Sequence, residues 1–492
     1  MIDIKKDRIR NKYIEIWILN VFLLLPLLIF GGQNFSIDSY GILLNAKEHL
    51  DAFIGSFRWF GALIYKIYTL GGYNPILDCT VDIILFIILI SIVMTVLTIK
   101  IVDEINVNDW LSYIIVDLGV LISVVNVWFC DVLSFPECVF LTGVGLALCF
   151  GAIIVFIQSS KPWHYLVSSI MLILSTGVYQ QFISIYAVYI VGICGIRMIN
   201  EKKSVLNLFL YYIKHASLII ISGVAYLLIG KAVQLVFGIE ANSRVAFSLD
   251  VILDNVKYFL LNQHSYLKGR GFFDTEILTF SYLAIGGIWF VLLLLHWKRN
   301  QFIKNTIAVG VSYILAYVAT YLPGILSTSH AARAMFAVFS AFLLFVAGIL
   351  KLTENRKIKV IVVVILSVVL IANIVKTINR EIEFKEQNMR DEIWCKQVLN
   401  EIELYESREG IKIENIEFCH DESLDIQTSG NSVVIAKYAM RSIFNYYGER
   451  EFNVSEMSNE KKDAYFEDKD WSEYCKEEQL VFEDDTLYVC CY

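Results

Sequence analysis

Three carboxylates and a few cations stand at the edges of long apolar runs in this chain. Asp38 follows the first run, in Ile37-Asp38-Ser39-Tyr40. Asp131 and Glu137 lie six residues apart between two later runs, the second in Phe135-Pro136-Glu137-Cys138. Arg58 precedes a Trp-Phe pair, and Arg333 opens a late run just after His330. Lys268 and Arg270 share the segment Gln-His-Ser-Tyr-Leu-Lys-Gly-Arg-Gly. Ionisable groups at membrane depth are costly and are functional candidates by default. A carboxylate beside a cavity suits removal of a proton from a sugar hydroxyl. A guanidinium suits a phosphate leaving group, because its planar fork matches phosphate oxygens. Each residue also has a plainer role open to it. For Asp38 that is a helix cap or a solvated loop acid, and for Glu137 and Arg333 a helix-end charge. For Lys268 and Arg270 it is contact with lipid headgroups. Asp117, inside an apolar run, is at least as well explained by a paired structural charge.

The elements that position these groups follow from hydropathy. Apolar residues make up 57% of the 492 and charged residues 18%, which calls for many lipid-spanning helices. About eleven spans are expected, near 14–32, 80–100, 111–129, 137–157, 163–179, 182–198, 206–237, 277–297, 305–326, 333–350 and 358–377. The basic N-terminus, with Lys5, Lys6, Arg8, Arg10 and Lys12, enters the first run without a small-residue cleavage site, so an uncleaved first helix is expected. With that end cytoplasmic, alternate loops carry Lys100, Lys161, Arg197, Lys202, Lys203, Lys298, Arg299 and Lys304. The short opposite loops at 130–136 and 180–181 carry no Lys or Arg. That asymmetry fixes the expected orientation and puts Asp38, Asp131, Glu137 and Arg333 at the outer face.

Two domains are expected: a polytopic membrane domain over 1–377 and an extracytoplasmic domain over 378–492. The membrane part has outer loops at 33–79 and 238–276. In the first of these, Leu43, Ala46, Leu50, Phe53, Phe57, Phe60, Ile64 and Ile67 recur at helical spacing. They predict one amphipathic helix lying in the membrane interface. Residues 378–492 carry a net charge of −15 against +7 for the rest. Such a split fits two compartments and argues against a nucleic-acid binder. A helix is expected over 380–406, with strands at 411–413, 416–418, 433–435 and 487–489, giving a small α/β domain. The ten cysteines form no CxxC and no Cys/His ligand spacing, so structural zinc is not expected. There is no P-loop and no Rossmann glycine fingerprint, as expected if no nucleotide is used. No DxD occurs in 33–79, so a divalent metal is possible but not argued for. No internal repeat is evident, which weakens a transporter reading.

The segment Thr176-Gly-Val-Tyr-Gln-Gln-Phe-Ile-Ser-Ile-Tyr186 resembles the Tyr-Gln hairpin of bacterial type II glucosyltransferases, the Gtr group that converts O-antigen serotypes. Other parts are similar in order: an acid after the first span (Asp38), Arg58-Trp59-Phe60, the turn from Trp128 to Glu137, and Arg333-Ala334-Met335. The resemblance implies a GT-C-like polytopic membrane glycosyltransferase in the bacterial cytoplasmic membrane. It implies a polyprenyl-phosphate sugar as donor and a cell-surface glycan as acceptor. It also adds Tyr179 and Gln180 to the substrate-binding candidates. Such enzymes often show two acids close together, and here Asp38 is followed by Ser39, so a partner acid would come from Asp131 or Glu137. The expectation is hexosyl transfer, glucose first, on the outer face, with Asp38 as general base. A transporter, flippase or polymerase for lipid-linked glycans is the alternative.

Overall fold

No glycine or proline occurs between Arg356 and Glu409, so nothing in the sequence stops helix propagation there. The chain forms one helix of 54 residues, Arg356–Glu409, where hydropathy predicts a span and a separate helix. It ends at Gly410, in the left-handed region at φ 71°. The Gly410 amide returns to the Glu406 carbonyl at 2.9 Å, a glycine stop that a Cβ would disfavour. This computed structural model describes residues 2–31, 35–158, 161–200, 205–242, 248–262, 265, 277–295, 302–325, 327, 332–420, 439–467 and 476–491.

The chain divides into two compact units. The first comprises Met1–Gly31, Leu50–Leu133 and Cys138–Ile378; the second comprises Gly32–His49, Ser134–Glu137 and Asn379–Tyr492.

Helices long and apolar enough to cross a membrane occur at Asn11–Gly31, Cys79–Ile105, Pro136–Ile157, Tyr212–Phe237 and Met335–Leu352. The apolar start of Arg356–Glu409 makes six among the described residues. A seventh is counted if Trp110–Ile122 and Val127–Leu133, bent by 53°, form one broken span. So many apolar helices mark a membrane protein. The other four of the eleven expected spans fall on shorter helices, at Pro162–Val178, Phe182–Arg197, Thr279–Leu295 and Gly310–Ala319.

Asp117 lies within this bundle, 1% exposed. Its Oδ1 accepts from Asn20 Nδ2 at 3.1 Å and from Thr98 Oγ1 at 2.8 Å, and Asn20 also donates to Thr95 Oγ1 at 3.1 Å. The group thus joins three helices as a hydrogen-bonded acceptor. Asp117→Leu should strand two buried donors, at about 1–3 kcal/mol each. Thermal unfolding in detergent should show the loss, and Asp117→Asn, which keeps an acceptor oxygen, should lose much less.

The single interfacial helix expected over the first outer stretch is broken into three: Ser39–Leu44, Ala46–Gly55 and Trp59–Tyr68. One break is at Asn45, extended at φ −147° and ψ 82°. The other is at Phe57, a non-glycine residue in the left-handed region at φ 60°. Apolar periodicity is blind to both, because each changes the backbone without interrupting the spacing.

The second unit is built on a four-stranded sheet in the order β2-β1-β4-β3. Its strands are β1 Asn415–His420, β2 Asn453–Glu456, β3 Leu480–Glu483 and β4 Thr486–Cys491. β1 runs parallel to β2 and β4, and β3 is antiparallel to β4. Ile416, Phe418, Leu487 and Val489 form a core with Val398, Ile402, Met440, Ile443 and Phe444. Residues 411–413 form no strand: the Ile413 amide donates to Glu406 Oε1 at 2.8 Å instead of joining a ladder. The expected strand at 433–435 lies outside the described residues. β2, sequence Asn-Val-Ser-Glu, has no apolar alternation and could not be read from pattern.

Candidate active site

Asp38 and Glu137, almost a hundred residues apart in sequence, come together in the second unit. Glu137 sits in a short 3-10 turn, Pro136–Cys138, and is 1% exposed. Ser36 Oγ donates to its Oε1 at 3.1 Å, and Ser39 Oγ donates to its Oε2 at 3.3 Å. Both serines are fully buried. The turn that carries them is closed on itself: Ser36 N donates to Ser39 Oγ at 2.9 Å, and Asp38 N donates to Ser36 Oγ at 3.2 Å. Ser36-Ile37-Asp38-Ser39 therefore wraps Glu137 with its serines.

Asp38 is the half-buried acid of that turn. It occupies the N-cap position of helix Ser39–Leu44, but its side chain makes no capping hydrogen bond. It lies between Ser36 and Ser39, the two residues whose hydroxyls donate to Glu137. Two carboxyl groups are held in one place, one enclosed and hydrogen-bonded, the other partly open. Tyr40 anchors the turn, stacking on Phe35 at 4.8 Å between centroids and facing Tyr447 at 3.3 Å between hydroxyls. The sequence offered Asp38 and Glu137 but not the serines. Their spacing of three around Asp38 becomes meaningful only with the distant carboxylate between them.

Arg58 belongs to the first unit, at the break between helices Ala46–Gly55 and Trp59–Tyr68. The break is held from outside. Gln234 Nε2 donates to the carbonyls of Ile54 and Gly55 at 3.1 and 3.2 Å. Gln180 Nε2 donates to the Ser56 carbonyl, and the Asn242 amide donates to the Gly55 carbonyl at 2.9 Å. These donors hold Phe57 in its left-handed conformation, a strain of about 1–3 kcal/mol that only a surrounding structure maintains. Phe57 is buried against Tyr226 and against Gly230, where a Cβ would lie 2.6 Å from its Cδ1. Trp59 fits against Gly177 in the same way, with 2.9 Å from an added Cβ to its Cε2.

The result places the Arg58 guanidinium over the Tyr179 ring, 5.0 Å from its centroid. Arg58, Tyr179 and Gln180, three of the expected substrate-binding residues, thus meet in one unit. Arg58 Nε is buried and has no hydrogen-bond partner, and no acid pairs with the guanidinium among the described residues. A half-buried cation with a spare donor can receive an anion. Gln234→Leu removes two of the bonds that hold the turn. Amide exchange at residues 55–58 should then quicken by about tenfold or more, read by hydrogen-exchange mass spectrometry.

Asp131 is buried in helix Val127–Leu133 of the first unit, whereas Asp38 and Glu137 belong to the second. Lys268, Arg270 and His330 lie outside the described residues, as does the side chain of Arg333. Among the described residues no group of three or more His, Cys, Asp or Glu could hold a metal ion. Sequence reasoning also passed over Asp82 and Tyr226; an acid in the first turn of an apolar run was the available signal for Asp82.

No curated protein and no solved structure matches the chain. Residues 27–350, which include Asp38, Glu137, Arg58 and the Tyr179-Gln180 turn, match the family model of glucosyl transferase GtrII. The chain belongs to this glucosyl transferase family and is a glycosyltransferase.

Proposed function

We propose that this enzyme moves a hexose, glucose in the first instance, from a polyprenyl-phosphate sugar to a cell-surface glycan at the outer face of the bacterial cytoplasmic membrane. The observation that carries the mechanism is the partly open Asp38 carboxylate beside Glu137 in its seryl cradle. An acceptor hydroxyl attacks the anomeric carbon of the donor. The new C–O bond forms as the bond from that carbon to the phosphate oxygen breaks. The proton passes to Asp38, and polyprenyl phosphate leaves with the electron pair. Glu137, held by Ser36 and Ser39, fixes the turn that aims Asp38. Arg58 on Tyr179 receives the phosphate, with Gln180 and Gln234 holding its turn. Arg333, His330, Lys268 and Arg270 are further candidates for donor contact, and Asp131 remains a rival base. The reading includes a GT-C-like arrangement of eleven spans and an extracytoplasmic domain over 378–492, supported by the Lys/Arg asymmetry of the loops.

Bilayer-embedded protein given a radiolabelled polyprenyl-phosphate hexose and a lipid-linked glycan should transfer label to the glycan. Label that crosses the bilayer without joining the glycan would instead indicate a flippase. Orientation is checked separately with Glu451→Cys, at an exposed position of the second unit. The new thiol should react with an impermeant reagent on intact cells; labelling only after lysis would move the Asp38 turn to the cytoplasmic side.

A further inference from the structure

Asp82 lies in the first turn of helix Cys79–Ile105 and is 1% exposed. Its Oδ1 accepts from the Tyr73 hydroxyl at 2.7 Å. Its Oδ2 is buried and has no partner, and no cation pairs with it among the described residues. Nearby, the hydroxyl of Tyr68 is also buried and unpartnered. Tyr68 packs against the ring of Tyr73, the residue whose hydroxyl bonds Asp82. Burial first, and then the charge of Asp82, push the Tyr68 hydroxyl well above its ordinary pKa, so it keeps its proton. Around them stand aromatic rings, with Tyr68 to Tyr73 at 5.6 Å and Tyr68 to Phe140 at 5.4 Å between centroids.

An acceptor and a proton-bearing hydroxyl, both left unsatisfied in one apolar setting, are costly. They specify what would complete them. An ammonium can only donate, so it would satisfy Asp82 and leave the Tyr68 proton without an acceptor. A hydroxyl both donates and accepts, so one hydroxyl would give its proton to Asp82 Oδ2 and accept from Tyr68. Aromatic faces beside such a pair suit the C–H face of a pyranose ring. The loop that brings Tyr73 to Asp82 borders open space. Gly71 and Gly72 are exposed, with no atom within 4 Å of an added Cβ, and Gly72 sits at φ 80°.

We infer that Asp82, Tyr68 and Tyr73 form a binding site for a hydroxylated sugar ring, one of the sugars of the acceptor glycan. This assignment rests on the glycosyl-transfer reading above and gives the acceptor a place distinct from Arg58.

The test uses the full chain in lipid nanodiscs and saturation-transfer NMR. The probes are the methyl glycosides of glucose, galactose, mannose and rhamnose. At least one should bind the wild-type protein. The same probe should bind about tenfold more weakly to Tyr68→Phe, which removes one oxygen and keeps the ring. Asp82→Asn, which replaces the charged acceptor, should weaken it similarly. If no probe binds, or if Tyr68→Phe binds as tightly as wild type, the cluster is only a buried tyrosine–carboxylate contact. That result would leave glycosyl transfer itself to be judged by the labelled-donor assay.

Discussion

Asp38→Asn is expected to lower transfer by about a hundred- to ten-thousand-fold, the usual worth of a positioned general base. Asparagine keeps the size of the side chain and can still accept a hydrogen bond. It has no basic oxygen to take the proton of the acceptor hydroxyl as the new glycosidic bond forms. Because asparagine keeps the size and much of the hydrogen bonding of the side chain, the substitution should leave folded yield and donor binding near wild type. Single-turnover transfer from a radiolabelled donor measures the first effect, and a donor-binding isotherm the second. Glu137→Gln is the informative companion. It preserves a partner for one of the two seryl donors, so its loss should be smaller and should include some stability. If Asp38→Asn turns over normally while Glu137→Gln does not, the buried acid is the base and Asp38 is scaffold.

Arg58→Lys should weaken donor binding by about ten- to a hundred-fold, corresponding to the loss of one charge-assisted hydrogen bond. Lysine preserves the charge but not the planar fork, and it stacks less well on the Tyr179 ring. The loss should therefore appear in the donor dissociation constant even though net charge is unchanged. Raised salt should do less than the substitution, because a half-buried contact is screened weakly. Wild-type affinity in Arg58→Lys would move phosphate recognition to Arg333, Lys268 or Arg270.

The class of protein was legible from composition, because apolar runs of twenty residues have few uses outside a bilayer. The candidate site residues were legible too. Asp38 and Glu137 are ionisable groups at the ends of apolar runs, and a polar group in that setting needs a reason; Arg58 stood out in the amphipathic stretch between two runs. The Tyr179-Gln180 turn was found by family resemblance and not by any physical pattern in the residues themselves.

The pairings were not legible, and the reason is the same in each case. Hydropathy and periodicity report contacts three or four residues apart, whereas the bonds that build the site span about a hundred residues or more. Glu137 meets the Asp38 turn because the backbone carries residues 134–137 into the second unit. Arg58 is aimed by a left-handed Phe57, a conformation that phenylalanine does not choose for itself. It is imposed by Gln180 and Gln234, which lie more than 120 and 170 residues further along the chain. The unbroken helix from Arg356 to Glu409 follows locally from the absence of any glycine or proline. The sequence by itself thus determined which groups were available and which runs would be helical. Only the tertiary structure decided which of them meet, since desolvation and hydrogen bonding act between neighbours in space.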